Sequence, residues 1–232
     1  ATPSTAHGHA DALQLLYRHQ GRDLLVDGGM PFYFGADAWV GHFRSAGAHN
    51  TIDIDGVEMA RRAGNLAWSH VAPQPQLYAR LSEDVWLMRG SAVWAEGTSI
   101  QRNILAIPGR GVWIADRIKT DKPRKMRWYW QMPEDCFETP KNSDTTSALN
   151  LAHDSQLQTW ANDTPLTTTV VSAQDGSPVA WNAPGYGVHR KARRICVESA
   201  PTAELLLVTF LGSSPLPIEF QMDGCQVSCT SS

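Results

Sequence analysis

Two imidazoles and a carboxylate stand one residue apart in His7-Gly8-His9-Ala10-Asp11. A second carboxylate follows in Val26-Asp27-Gly28-Gly29, and a third imidazole in Ala48-His49-Asn50-Thr51. If 7–11 is extended, His7, His9 and Asp11 project to one face, because side chains alternate along a strand. Two imidazoles so placed can serve one metal ion together, or one can hold metal while the other moves a proton. Asp27, at the end of the next strand of a hairpin, would come near His9 across the ladder, and His49 would add a third ligand of the type that Zn²⁺ accepts in tetrahedral geometry. The same residues also fit a plainer arrangement, in which a His-x-His pair sits on an exposed strand and Asp-Gly-Gly is a turn. Spacing alone does not choose between the two.

The elements that must position these groups read as strands. Helical periodicity is nearly absent, whereas two-residue alternation bounded by Gly, Pro, Asn and Asp recurs along the chain. Residues 13–17 and 23–26 flank His19-Gln20-Gly21-Arg22 as a hairpin ending at Asp27. Thr51-Ile52-Asp53-Ile54-Asp55, closed by Gly56, predicts a strand with its isoleucines facing inward. Further strands are predicted over 77–81, 85–89, 99–107, 112–118, 126–131, 157–160, 166–171, 194–198, 205–210 and 218–222. The turn Pro108-Gly109-Arg110-Gly111 joins two of them as a hairpin. So many short, turn-punctuated strands imply an all-β fold, a large antiparallel β-sandwich in preference to a closed barrel. The polar stretch 138–147 reads as a surface loop, and there is no internal repeat.

Composition narrows the function classes. At 232 residues the chain can bury a substantial core, and its formal net charge of −3, mixed in sign, argues against a nucleic-acid partner. No apolar run approaches the ~20 residues needed to cross a bilayer. The start, Ala-Thr-Pro-Ser, has neither an initiator Met nor a charged-then-apolar leader, as expected of a processed product or a piece of a longer protein. Cys136, Cys196, Cys225 and Cys229 are too few and scattered for a disulfide framework, although Cys225 and Cys229 are spaced for a local bridge. The nine tryptophans read mainly as core. In Trp128-Tyr129-Trp130 the two indoles share a sheet face and Tyr129 takes the other, while Tyr33 and Trp39, between Asp27 and His49, are placed to line a cleft.

Four runs carry a family resemblance: Ala6-His7-Gly8-His9-Ala10-Asp11-Ala12-Leu13, Gly21-Arg22-Asp23-Leu24-Leu25-Val26-Asp27-Gly28-Gly29, Phe43-Arg44-Ser45-Ala46-Gly47-Ala48-His49-Asn50-Thr51 and Asp55-Gly56. Together they resemble the C-terminal β-sheet domain of heparinase II/III-like polysaccharide lyases, which are related to alginate and oligoalginate lyases. The match is specific over roughly the first sixty residues; beyond them only the strand pattern agrees. The resemblance implies that 1–232 is one β-sandwich domain that packs against an N-terminal (α/α) toroid, the two forming a cleft for an acidic polysaccharide or oligosaccharide. It implies β-elimination on uronic acids: a base takes the C5 proton, the carboxylate is neutralised, and an acid protonates the leaving O4. The tyrosine and the carboxylate-neutralising Asn or His belong to the toroid, so the sandwich alone is expected to be a poor catalyst or none. His7 matches a cleft histidine engaged in proton transfer, and His9, Asp27 and His49 match the three ligands of a structural Zn²⁺. Beside them, Asp11 and Asn50 are expected as supports behind the ligands, and Arg44 as a fork for a substrate carboxylate. A periplasmic or extracellular location is expected.

Two other readings stay open: a non-catalytic carbohydrate-binding or assembly module for exopolysaccharide, and a small cupin-like metalloenzyme. The missing Glu after the His-x-His pair argues against the cupin.

Overall fold

The computed structural model describes residues 8–35, 37–57, 59–64, 67–70, 75–93, 97–137, 148–161, 164–213, 215–216, 219–220 and 227–228. A hairpin, β1 (Tyr17–His19) and β2 (Arg22–Leu25), is followed by helix α1 (Asp37–Phe43), β3 (Ile52–Ile54) and the short pair β4 (Arg61–Arg62) and β5 (Trp68–His70). A meander follows: β6 (Gln76–Leu81), β7 (Trp86–Val93), β8 (Ser99–Ile107) and β9 (Gly111–Arg124), then β10 (Met126–Pro133). The rest is β11 (Ala148–Asn150), β12 (Gln156–Ala161), β13 (Leu166–Ser172), β14 (Trp181–Gly185), β15 (Val188–Ser199), β16 (Thr202–Gly212), β17 (Glu219–Phe220) and β18 (Val227–Ser228).

Two antiparallel sheets make the sandwich. The larger runs β11-β12-β16-β9-β8-β7-β6; the smaller runs β13-β15-β10-β3, with β14 paired to β15. The apolar core lies between them. β10 and β15 contribute Met126, Trp128, Trp130, Met132, Ile195 and Val197, and β8, β9 and β16 contribute Ile100, Ile114, Ile118, Leu205 and Leu207. Trp128 and Trp130 are wholly buried on this inner side. Tyr129 points the other way, where its hydroxyl donates to Asp53, as strand alternation requires. The isoleucines of β3 enter the same core.

The first hairpin is tighter than the sequence pattern suggests. Its turn is two residues, Gln20 and Gly21, both at positive φ, the geometry that matches strand twist in a two-residue loop. Residues 13–15 are therefore not strand; their backbone is used elsewhere. Helix α1 falls in a segment that reads as irregular, since seven residues are too few for a clear periodic signal. The loop reading for 138–147 and the Cys225–Cys229 spacing lie outside the described residues. Of the cysteines within them, Cys136 and Cys196 are free thiols.

One buried polar node ties the N-terminal segment to the sandwich. Arg102 on β8 donates to both carboxylate oxygens of Asp116 on β9, at 2.8 and 2.9 Å, and to the carbonyls of Leu13 and Asn50 at 2.6 and 3.0 Å. Trp128 Nε1 donates to Asp116 from the opposite sheet at 2.9 Å. Burying a charge is costly unless it is paired and hydrogen-bonded, and here both ions are.

Candidate metal centre

Three backbone segments converge at one end of the smaller sheet, and hydrogen bonds hold them in register. Asn50, fully buried, donates through Nδ2 to the carbonyls of Leu15 and Val26, at 2.8 and 2.9 Å, and accepts from the N–H of Gln131 at 2.6 Å. Thr51 Oγ1 donates to the Ala12 carbonyl at 2.7 Å, and the Ala10 N–H donates to the Arg44 carbonyl at 2.9 Å. Asn50 is thus a clamp between segments, with every side-chain bond committed to backbone.

The glycines after Asp27 let its segment pass between two others. A Cβ on Gly28 would lie 2.2 Å from the Ala48 carbonyl oxygen, and one on Gly29, at φ +71°, would lie 2.1 Å from that of Ala183. Only glycine admits so close an approach. The Ala183 N–H donates to the Gly28 carbonyl at 2.7 Å, and Asn182 Nδ2 donates to the Asp27 carbonyl at 2.5 Å. Asp27 is thereby fixed beside His49, the residue after Ala48.

Four side chains of metal-ligand type meet at this crossing. One ligand atom each of His9, Asp11 and His49 lies within 4.8 Å of the others. The His9 and His49 rings are 4.9 Å apart, and Asp27 Oδ1 is 2.6 Å from His49 Nδ1. Residues 8–11 form no strand, so tertiary crossing rather than a β-ladder unites His9 with Asp27 and His49. Asp11, expected behind the ligands, brings its carboxylate into the group itself. His7 lies outside the described residues.

The protonation pattern shows what the cluster lacks. His49 Nε2 is 3.0 Å from the carbonyl oxygen of Phe43, which can only accept, so Nε2 carries the proton. In a neutral ring Nδ1 is then a lone pair facing a carboxylate oxygen, and the contact is favourable only with a second proton or a cation shared there. Burial, with help from His49 and Arg44, lowers the pKa of His9 to about 4, so its ring is neutral near pH 7. Burial raises the Asp11 carboxyl above its ordinary range. Burial also works against Asp27, but its bond and Coulomb attraction to His49 win and hold it below the usual value. A group of lone pairs facing inward, with a ligand's other nitrogen donating to a backbone carbonyl, fits a divalent cation with nitrogen and oxygen ligands.

The remaining candidates divide. Arg44 is only 1% exposed; its Nε donates to the Gly8 carbonyl at 3.2 Å and its guanidinium lies 4.5 Å from the Trp68 ring centre. In this position it braces the segment carrying His9. Trp39 sits on α1 amid Phe43, Trp181 and His189, with ring centres 5.5–6.0 Å away. Tyr33 pairs with Tyr186 at 5.8 Å. His42, whose residue type and place read as surface or satisfied core, is buried with Nε2 lacking a hydrogen-bond partner among the described residues, and burial, Arg194 and His49 lower its pKa to about 4. Sequence reading missed Asn182, which lies 155 residues from the carbonyl it holds. No local pattern marks such a distant partner.

A family model described as "Heparinase II/III-like, C-terminal" matches residues 1–220. The chain belongs to this family. Among solved structures, the heparinase-like chain is similar to heparan sulfate lyase HepC from Pedobacter heparinus, 15% identical with a TM-score of 0.67, over 92% of this chain and 32% of that one. It is also similar to heparinase III, 12% identical with a TM-score of 0.71, over 97% of this chain and 34% of that one. At such identities the likeness is one of fold, and it confirms the β-sandwich. The heparinase-like chain spans about a third of the length of these structures. No curated protein sequence matches it. Among the described residues no helix is long and apolar enough to cross a membrane.

Proposed function

We propose that this chain is the β-sandwich part of a polysaccharide lyase that cleaves uronic-acid-containing polysaccharide by β-elimination, working with an N-terminal toroid outside the cell or in the periplasm. The observation that carries the reading is the convergence of His9, Asp11, Asp27 and His49 at a crossing of backbone segments within a heparinase-like fold. In this reading His9, Asp27 and His49 hold Zn²⁺, with Asp11 beside them. Bound there, the ion would supply a fixed charge that cross-links segments already joined by several hydrogen bonds.

The chain's own groups then work as follows. Asn50 and Thr51 lock the segment from Ala10 to Leu15 onto β3 and β10, and the Ala10 N–H bonds the Arg44 carbonyl. The reading gives His7 the part of presenting a nitrogen to a sugar hydroxyl or leaving oxygen for general acid–base transfer. The base that takes the C5 proton and the groups that neutralise the carboxylate come from the toroid.

The test is an assay of the full gene product on alginate, heparan sulfate and other uronates, following absorbance of the unsaturated product. His7→Ala is expected to lower the rate by about 10²–10⁴-fold. No product on any acidic polymer, with intact binding, would replace the lyase by a carbohydrate-binding module.

A further inference from the structure

The surface next to the metal-type cluster carries groups that the chemistry above does not use. β14 and β15 form a hairpin whose tip is Tyr186-Gly187, with Gly187 at φ +75°. The Gly187 N–H donates to the Pro31 carbonyl at 2.6 Å, tying the tip to residues 31–35. The Tyr186 ring then lies 5.8 Å from that of Tyr33, tilted by 32°. Tyr186 is 68% exposed against a half-buried Tyr33, with Phe34 exposed next to Tyr33 in the chain and Val188 exposed just past the tip. A ring held in the open by a backbone anchor and a half-buried partner offers a rigid apolar face to a ligand.

Past the tip, β15 continues through His189, Arg190 and Lys191, all exposed. Among the described residues, neither Arg190 nor Lys191 forms an ion pair. Both line a cavity of about 560 Å³, together with Arg22 and Asn182, a volume within the range of small-ligand sites. Asp23, Glu134 and Asp135 also line it, so the cations face the cavity together with carboxylates. Asn182 is the same residue that holds the Asp27 carbonyl. Strand β14 thus runs from Asn182, which lines the cavity and holds the Asp27 carbonyl, to Gly185 next to the aromatic tip.

We propose that the Tyr33–Tyr186 pair and the Arg190–Lys191 run form a subsite for an acidic oligosaccharide, the phenol rings lying on sugar rings and the two cations meeting carboxylate or sulfate groups. Tyrosine suits the first task because its ring is rigid and amphipathic, and arginine suits the second because its fork matches a planar anion. Arg190 lies on β15 three residues past Gly187, so one hairpin carries both the exposed ring and the first of the two cations. The choice of acidic polysaccharide as ligand rests on the lyase reading; the geometry of the subsite does not.

Calorimetric titration of the full chain with a size-defined alginate or heparan sulfate hexasaccharide, at low and at high salt, tests it. Tyr186→Ala should weaken binding about five- to tenfold and Tyr186→Trp should restore it, while circular dichroism shows the fold unchanged. Arg190→Ala with Lys191→Ala should weaken binding at least tenfold at low salt and flatten the salt dependence. A neutral hexasaccharide should bind far more weakly than the acidic one. Wild-type affinity in both variants overturns the proposal, as does equal affinity for neutral and acidic sugars. Tyr186-dependent binding without any unsaturated product would remove the lyase reading and leave the subsite. Full lyase activity and affinity in both variants would do the reverse.

Discussion

The molecule buries two polar clusters that meet at Asn50, and they are built on opposite principles. At Arg102 and Asp116 donors and acceptors balance: a bidentate ion pair, two backbone carbonyls and an indole N–H leave the carboxylate fully served. At His9, Asp11, Asp27 and His49 acceptors outnumber donors, and the one short contact pairs two lone-pair atoms unless a cation or an added proton lies there. Asn50 touches both regions, since its carbonyl accepts from Arg102 and its side chain clamps the segments that carry His9 and Asp27. A balanced buried network needs nothing from outside and reads as structure. An unbalanced one, held in place by its neighbours, is completed by a shared cation or an added proton.

The sharpest way to break this contrast is to remove one member from each cluster. Asp116→Ala leaves a buried guanidinium without its partner and should cost about 3–5 kcal/mol in urea unfolding. Asn50→Ala, which frees two carbonyls and an N–H, should cost about 2–4 kcal/mol. Acid comes next. The pKa values of His9 and His42 are lowered from 6.5 to about 4 in the fold, so between those values the unfolded chain binds protons that the folded chain refuses. With chelator present, stability should be whole above about pH 6.5 and fall by roughly 3 kcal/mol for each imidazole as the pH drops to 4. Asp11→Asn, measured with chelator present, should change stability by less than about 1 kcal/mol, because it removes one of several crowded acceptors. A loss there as large as that of Asp116→Ala would erase the distinction between the two clusters.

Much of the fold was legible because alternation and turns are local signals. β8 runs over Ser99–Ile107 as expected, and the burial of Trp128 and Trp130 opposite Tyr129 follows from strand alternation alone. At the candidate site the close group of ligand atoms is His9, Asp11 and His49, with Asp27 joined to it through His49, so the sequence spacing named residues of this region but put Asp11 behind them rather than among them. The way they meet was not legible: it depends on Gly28 and Gly29 threading between Ala48 and Ala183 and on the Asn50 clamp, contacts between segments far apart in the chain. Arg102 and Asp116 each lie within an ordinary alternating strand, and nothing local distinguishes a buried ion pair there from a solvent-facing one. Arg44 is a residue whose type leaves a carboxylate fork and a structural contact both open, and burial with the Trp68 face shows a contact within the fold.

Thermal unfolding with and without zinc tests the central claim most directly. The account predicts one tightly bound Zn²⁺ per chain and, at about a hundredfold excess over Kd, a gain of about 2.7 kcal/mol, or roughly 5–10 °C in Tm. Both effects should be absent in His49→Ala. A folded chain that binds no stoichiometric zinc and melts at the same temperature with zinc as with chelator would contradict it.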